Sequence, residues 1–262
     1  RRDPEDDAPG RRRLWLAVAH GARRRGVGSA LLVAAGGAAA AGGATEFLVS
    51  TSLAEPDGLA FARRHGFREV RGEVELILDL GAHLAASGTD AGPPGLQVVA
   101  LAALAASHPD WRERYRDLYA HLAPGVVWAP GSVAPDGDRF RRFHLEAPGF
   151  VAEGTAVAVL DREWVGLCEL WRSGDDRHSA YQELTAVLPA CRGRGVGAAL
   201  VGSVAAAAAR LGFHRLFTST GTENRAMQGL ARGLGFVTAA RWSYLVGPVP
   251  EGRVLSGWEV DS

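Results

Sequence analysis

Val187-Leu188-Pro189-Ala190-Cys191-Arg192-Gly193-Arg194-Gly195-Val196-Gly197 joins the end of one apolar run to the start of another. Upstream, 181–188 alternates and is stopped by Pro189, a pattern that predicts a strand. Downstream, 196–211 is rich in Ala and long enough for several turns, which predicts a helix. A strand, a tight Gly-rich turn and a helix leave unpaired N–H groups at the helix start, where the dipole favours an anion. Gly193, Gly195 and Gly197 remove side chains that would keep a phosphate off the backbone, and Arg192 and Arg194 add positive charge. The chemistry suits a pyrophosphate. A tight turn with solvated arginines and no ligand is equally consistent with the loop taken alone. A dinucleotide-binding G-x-G-x-x-G would need a Gly three residues after Gly197, where Leu200 stands.

The loop occurs twice. Arg23-Arg24-Arg25-Gly26-Val27-Gly28 precedes Arg192-Gly193-Arg194-Gly195-Val196-Gly197 by 169 residues, and at that offset Gly66-Phe67 meets Gly235-Phe236 without a gap. Over 14–67 and 183–236, 19 of 54 positions are identical. Shared Ala-rich composition does not hold such punctuation in register, so the chain contains a duplicated module. The copies are unequal. The division expected is a partial, degenerate module over 1–84, a Gly/Pro-rich linker over 85–95, and a complete module over 96–262.

In the complete module the pattern predicts a strand over 96–101, a helix over 110–122 and a shorter helix over 136–145. A hairpin over 155–160 and 164–171 follows, turning at Asp161-Arg162-Glu163. After the strand and helix that flank the loop come a strand over 215–220, a helix over 224–234 and a strand over 236–246. In the partial module, 14–19, 47–51 and 68–80 are strand-like, with helices over 27–41 and 57–64. The fold class expected is mixed α/β, a mixed sheet flanked by helices.

These motifs resemble the Gcn5-related N-acetyltransferase (GNAT) family. The loop is similar to its [RQ]-x-x-G-x-[GA] acetyl-CoA motif, and Asn224-Arg225-Ala226-Met227, ending at Leu234-Gly235-Phe236, is similar to its second motif. The two stand in the expected order and separation, over 155–246 fully and over 14–80 as a weaker copy, which implies a tandem member with the acyl-CoA N-acyltransferase fold. The resemblance implies an acetyltransferase moving acetyl from acetyl-CoA, as co-substrate, to an amine of a small molecule or peptide by direct attack. It implies that Val187 and Leu188 pair through their backbone with the pantetheine arm. It gives the pyrophosphate to backbone N–H groups of Arg192, Gly193, Arg194, Gly195, Val196, Gly197 and Ala198. Asn224 would contact the pantetheine or cap its helix, and spacing alone favours the cap.

Two departures qualify this. Many members carry a Tyr seven residues after the Asn, to protonate the departing thiolate; here Ala231 stands there. Tyr244 is a possible substitute, or a sheet-packing Tyr. For the general base, alternation puts Tyr181, Glu183, Thr185 and Val187 on one face, and Glu183 is the candidate by type and place, against a solvated edge Glu. In the first copy His20 replaces Pro189 and Glu55 replaces Asn224, so that copy is expected to be a poor catalyst. A non-catalytic acyl-CoA sensor or scaffold derived from a tandem GNAT is the alternative reading.

Composition narrows the rest. All 29 basic residues are Arg, which excludes a G-x-x-x-x-G-K-[ST] loop and Schiff-base chemistry. They are balanced by 29 acidic residues, against a broad basic field for nucleic acid. The 8 His lack metal-ligand spacing, so no metal is expected. Cys168 and Cys191, two isolated thiols, form no disulfide framework, and Cys191 lacks a catalytic partner. The apolar runs fall short of the about 20 residues of a membrane span, and the charged first ten residues form no signal-peptide pattern. The expectation is a cytoplasmic monomer or homodimer with neither nucleic-acid nor membrane partners.

Overall fold

The computed structural model describes residues 10–81, 92–122, 140–174 and 176–250. They form two compact units that cut across the repeat. The larger holds 73–81 and the described residues between 92 and 240; the smaller holds 10–72 and 241–250.

The smaller unit contains β1 (Arg11–Arg13), α1 (Val27–Ala41), β2 (Glu46–Ser52), α2 (Pro56–Arg64) and the start of β3 (Arg68–Asp79). It also takes the far end of the last strand, β9 (Val237–Pro248), which pairs antiparallel with β2 from Glu46↔Pro248 to Ser52↔Trp242. Leu32, Phe47, Ala62, Phe67 and Leu245 form its core.

The larger unit contains β4 (Gln97–Ala100), α3 (Leu101–Ser107), α4 (Trp111–Leu122), β5 (Ala156–Leu160), β6 (Glu163–Arg172), β7 (Ser179–Val187), α5 (Val196–Arg210), β8 (Arg215–Gly221) and α6 (Arg225–Gly233). Its sheet runs β3-β8-β7-β6-β5-β4. The β3 segment is Glu73–Asp79, antiparallel to β8. Each unit therefore contains the closing strand of the other copy of the repeat. The larger core sits where Leu76, Cys168, Leu170, Ala180, Val187, Val196, Leu200, Val204 and Leu216 meet between sheet and helices.

The β5–β6 hairpin follows from its turn: Asp161 and Arg162 both take positive φ, 51° and 68°, matching the twist of the flanking strands. Helix α4 follows its stripe, with Tyr115, Leu118, Tyr119 and Leu122 buried. Of the helix expected over 136–145, residues 136–139 lie outside the described residues, and 141–145 forms one π-helical turn. The linker expected over 85–95 lies largely outside them too. Helix α3 was not read from the sequence, where 101–107 adds only a short Ala-rich run to the strand before it.

The strand expected over 14–19 is corrected. The β1–β2 ladder ends at Arg13↔Leu48, and beyond the Leu14 N–H to Leu48 carbonyl bond (2.9 Å) the chain carries no strand ladder to Ala19. The repeat explains this. These residues correspond to 183–188, of which the strand part, to Val187, is held in the complete module by β6, and among the described residues the first copy has no β6 counterpart. Trp15, opposite buried Leu184 in the alignment, is accordingly 82% exposed.

Candidate functional site

Strands β7 and β8 are parallel, but their ladder covers only Ser179↔Arg215, Ala180↔Leu216 and Tyr181↔Phe217. From there β7 continues to Val187 and β8 to Gly221, each with its facing edge unpaired by the other. A crevice at the carboxyl ends of parallel strands is where open α/β sheets take ligands. Pro189–Cys191 then makes a single 3-10 turn, and α5 begins at the same end.

The loop expected to bind pyrophosphate forms a tight turn into the start of α5. Gly195 is the residue before α5, at φ 83°, a left-handed conformation that side chains resist. No side chain caps α5 and no acidic residue lies in its first turn, so its first N–H groups stay available to an anion. Gly193 and Gly195 are exposed, as are the flanking Arg192 and Arg194, while Val196 anchors the turn in the core. Arg192 donates from Nε to the carbonyl of Val187 at 2.9 Å, tying the loop back to the end of β7.

Asn224 precedes α6 and its Oδ1 accepts from the Met227 N–H at 3.1 Å. It is the cap that spacing favoured. Gln228, one turn on, donates from Nε2 to the carbonyls of Gly221 and Thr222 at 3.0 and 3.1 Å, fixing the turn between β8 and α6. Ala231 is wholly buried in the core and offers no proton.

The alternation expected along β7 is broken. Cys168 faces Thr185 while Leu170 faces Gln182, so β7 spends one residue more than β6 between those pairs, a β-bulge. Gln182 and Thr185 consequently lie on one face, that of Cys168 and α5, and Gln182 Nε2 donates to Thr185 Oγ1 at 2.7 Å. Thr185 Oγ1 in turn bonds Cys168 Sγ at 3.1 Å. Tyr181 goes to the opposite face, stacked on Phe217 with ring centroids 5.4 Å apart. Glu183 sits within the bulge, beside the opening, and is exposed. Tyr244 is in register with Ser50 of β2, in the smaller unit.

Both thiols are free and buried. Burial pushes the Cys168 thiol up to about 12, the Thr185 hydrogen bond opposing it and the Glu169 charge adding to it. Neither is placed as a nucleophile. Among the described residues no group of His, Cys, Asp and Glu could hold a metal ion, and no helix is long and apolar enough to cross a membrane.

Sequence reasoning missed one buried cluster. Glu169 of β6 is fully buried, and its Oε1 accepts from the Tyr115 hydroxyl at 2.5 Å and lies 2.6 Å from His144 Nε2. The Trp171 indole N–H donates to Oε2 at 3.3 Å. Burial, then the Glu169 charge, holds the Tyr115 phenol well above its usual range, so it stays a donor. An acidic residue inside the otherwise apolar run 164–171 was the available signal.

The first copy repeats the loop backbone without its electrostatics. Gly26 precedes α1 at φ 84°, and Arg24 takes φ 61° where the complete module has Gly193. Arg23 Nε donates to the Val18 carbonyl at 3.1 Å, as Arg192 does to Val187. Here the arginines meet acids: Arg23 lies 3.4 Å from Glu55 and Arg24 3.5 Å from Asp57. Glu55, in the place of Asn224, makes no side-chain cap.

Residues 109–236 match the family described as acetyltransferase (GNAT) family. No curated protein matches the chain in sequence. Among solved structures, a GCN5-related N-acetyltransferase from Sphaerobacter thermophilus is similar at TM-score 0.69 and 17% identity, over 90% of this chain and 72% of its own. A tandem GNAT protein from the clavulanic acid biosynthesis pathway is similar at TM-score 0.72 and 22% identity, over 94% of this chain and 78% of its own. An acetyltransferase of the GNAT family from Colwellia psychrerythraea reaches 0.57 at 14%, over 86% and 74%. Residues 109–236 are thus a GNAT-family domain, and the chain has the fold of solved GNAT acetyltransferases, a tandem GNAT protein among them.

Proposed function

We propose that this protein is an N-acetyltransferase that moves the acetyl group of acetyl-CoA to an amine of a small molecule or peptide. One observation carries the reading: the β7–β8 crevice opens at the same end as the uncapped N-terminus of α5. A pyrophosphate on the N–H groups from Arg192 to Ala198 would leave an extended arm beside the free edge of β7, with Val187 and Leu188 at its start.

In this reading Glu183 takes a proton from the substrate ammonium, and its exposure within the bulge supports that role. The freed amine attacks the thioester carbonyl carbon, the C–S bond breaks, the thiolate leaves, and the attacking nitrogen gives its second proton to water. With Ala231 in the place of the family's Tyr, water supplies the thiolate's proton; a thiol pKa near ~8.5 makes this leaving group tolerable. The first copy, its loop arginines matched to Glu55 and Asp57, serves as a structural partner.

The same absence at Ala231 favours one other reading, an acyl-CoA sensor that binds without turnover. Purified protein with acetyl-CoA and a panel of amines decides between them. Thiol release dependent on one amine supports the transferase. Acetyl-CoA binding with no turnover on any amine supports the sensor, and no binding of acetyl-CoA removes both.

A further inference from the structure

Where β7 parts from β8, Gln182 carries a buried polar atom that no other described residue answers. Gln182 is the first β7 residue past the β7–β8 ladder and the first of the bulge. It is 1% exposed, and its Oε1 has no hydrogen-bond partner among the described residues. Leaving a buried carbonyl oxygen unpaired costs about 1–3 kcal/mol, so native structures rarely do it without a ligand or water to complete the site.

Gln182 Nε2 donates to Thr185 Oγ1, which bonds Cys168 Sγ, and the chain of three side chains holds Oε1 on the face of β7 that α5 covers. Oxygen accepts and cannot donate, so what it lacks is a donor. Thr218 and Thr220, buried on β8 at the parity of Leu216, give the other wall of the crevice polar character on the same face.

We infer that Gln182 Oε1 accepts a hydrogen bond from an amide N–H of the pantetheine arm, and so positions the thioester end of the co-substrate. The inference rests on the acetyl-CoA reading above. Gln182 lies five residues back from Val187, towards the closed end of the crevice, and its amide is held at Thr185, two residues from Val187, about 7 Å at a rise of about 3.3 Å per residue. An arm anchored at the loop and laid along β7 brings its amide groups past this oxygen, on the α5 side. The residue is a positioning residue: it fixes the arm and takes no part in proton transfer.

The test measures, on the full chain by titration calorimetry, the affinity of two probes: acetyl-CoA, and 3′-phosphoadenosine 5′-diphosphate, which has the pyrophosphate but no pantetheine. Gln182→Met keeps the length and removes the acceptor. It should weaken acetyl-CoA about tenfold, about 1.4 kcal/mol, and leave the nucleotide within twofold. Gln182→Glu should restore acetyl-CoA binding at pH 6, where burial keeps the carboxyl protonated, with a hydroxyl for Thr185 and a carbonyl for the arm. Equal acetyl-CoA affinity in parent and Gln182→Met overturns the inference. So does loss of both probes in Gln182→Met, which would make Gln182 a residue of the fold. If the parent itself binds neither probe, the acetyl-CoA reading has failed first.

Discussion

Arg192 donates to the backbone carbonyl of Val187, and 169 residues earlier Arg23 donates to that of Val18. In both copies the first arginine of the loop clamps the loop to the strand that precedes it. The geometry survived duplication although the surroundings did not: beside Arg23 stands Glu55, where the complete module has Asn224. The clamp belongs to the fold, and the charge left over from it is what distinguishes the copies. Arg192→Ala should therefore weaken acetyl-CoA binding at least tenfold, and Arg192→Lys by less, since an ammonium keeps the charge but lacks the planar fork. Arg23→Ala should leave binding unchanged in the same titration.

Gly195→Asp tests the pyrophosphate cradle. Asp is among the side chains that tolerate φ 83° best, so the loop should keep its shape. Its carboxylate would stand where phosphate oxygens go. Acetyl-CoA affinity should fall at least tenfold, about 1.4 kcal/mol, in a protein that melts near the parent temperature. The paired substitution Gly26→Asp should have no effect on affinity. An unchanged dissociation constant for Gly195→Asp would remove the pyrophosphate from this loop.

Glu183→Gln keeps size and polarity but cannot take a proton. If Glu183 is the base, turnover should drop on the order of a hundredfold while acetyl-CoA binding is retained. The pH profile should also lose its acidic limb. Activity within a few-fold of the parent would make Glu183 a solvated bulge residue.

Much of this was legible in the sequence because punctuation is local. Gly195, Pro189, Asn224 and the Asp161-Arg162 turn each impose a backbone conformation through their own side chain or lack of one, and the elements they bound fell where the pattern put them. What the pattern could not carry was pairing. Residues 14–19 have the same strand-like pattern as the matching residues of β7, but a strand needs a neighbour, and among the described residues that copy offers none. The bulge likewise depends on how β7 lies against β6, so alternation misplaced Tyr181 relative to Thr185. Glu169 was passed over for a related reason: only the fold brings Tyr115 and His144 to it.

That cluster predicts a stability effect. Glu169 receives donors from α4 and from its own strand and meets His144 of the π-helical turn, all away from water. Glu169→Ala would leave the Tyr115 hydroxyl and the His144 imidazole facing a void, and breaking a buried pair this way costs about 3–5 kcal/mol. Glu169→Gln, which keeps an acceptor and the volume, should cost less. Denaturant unfolding of the three proteins would show the order, and equal midpoints would mean the cluster contributes nothing net.

The exchanged closing strands make the two copies interdependent. Removing residues 1–90 takes Glu73–Asp79 from the edge of β8, exposing the ladder groups of seven residues from Arg215 to Gly221. It also removes Val74, Leu76, Leu78 and Leu80 from the larger core, all of them buried. The same cut strips β2 from β9, whose pairing spans Trp242 to Pro248. An edge so exposed is a template for pairing with other chains, and the lost apolar burial is several side chains at about 1.5–3 kcal/mol each. The fragment 91–262 should therefore aggregate or melt non-cooperatively, as measured by light scattering and by circular dichroism on heating. A fragment as soluble and as stable as the full chain would mean that β9 can close its own module, and that the exchange of strands between copies is not required by the fold.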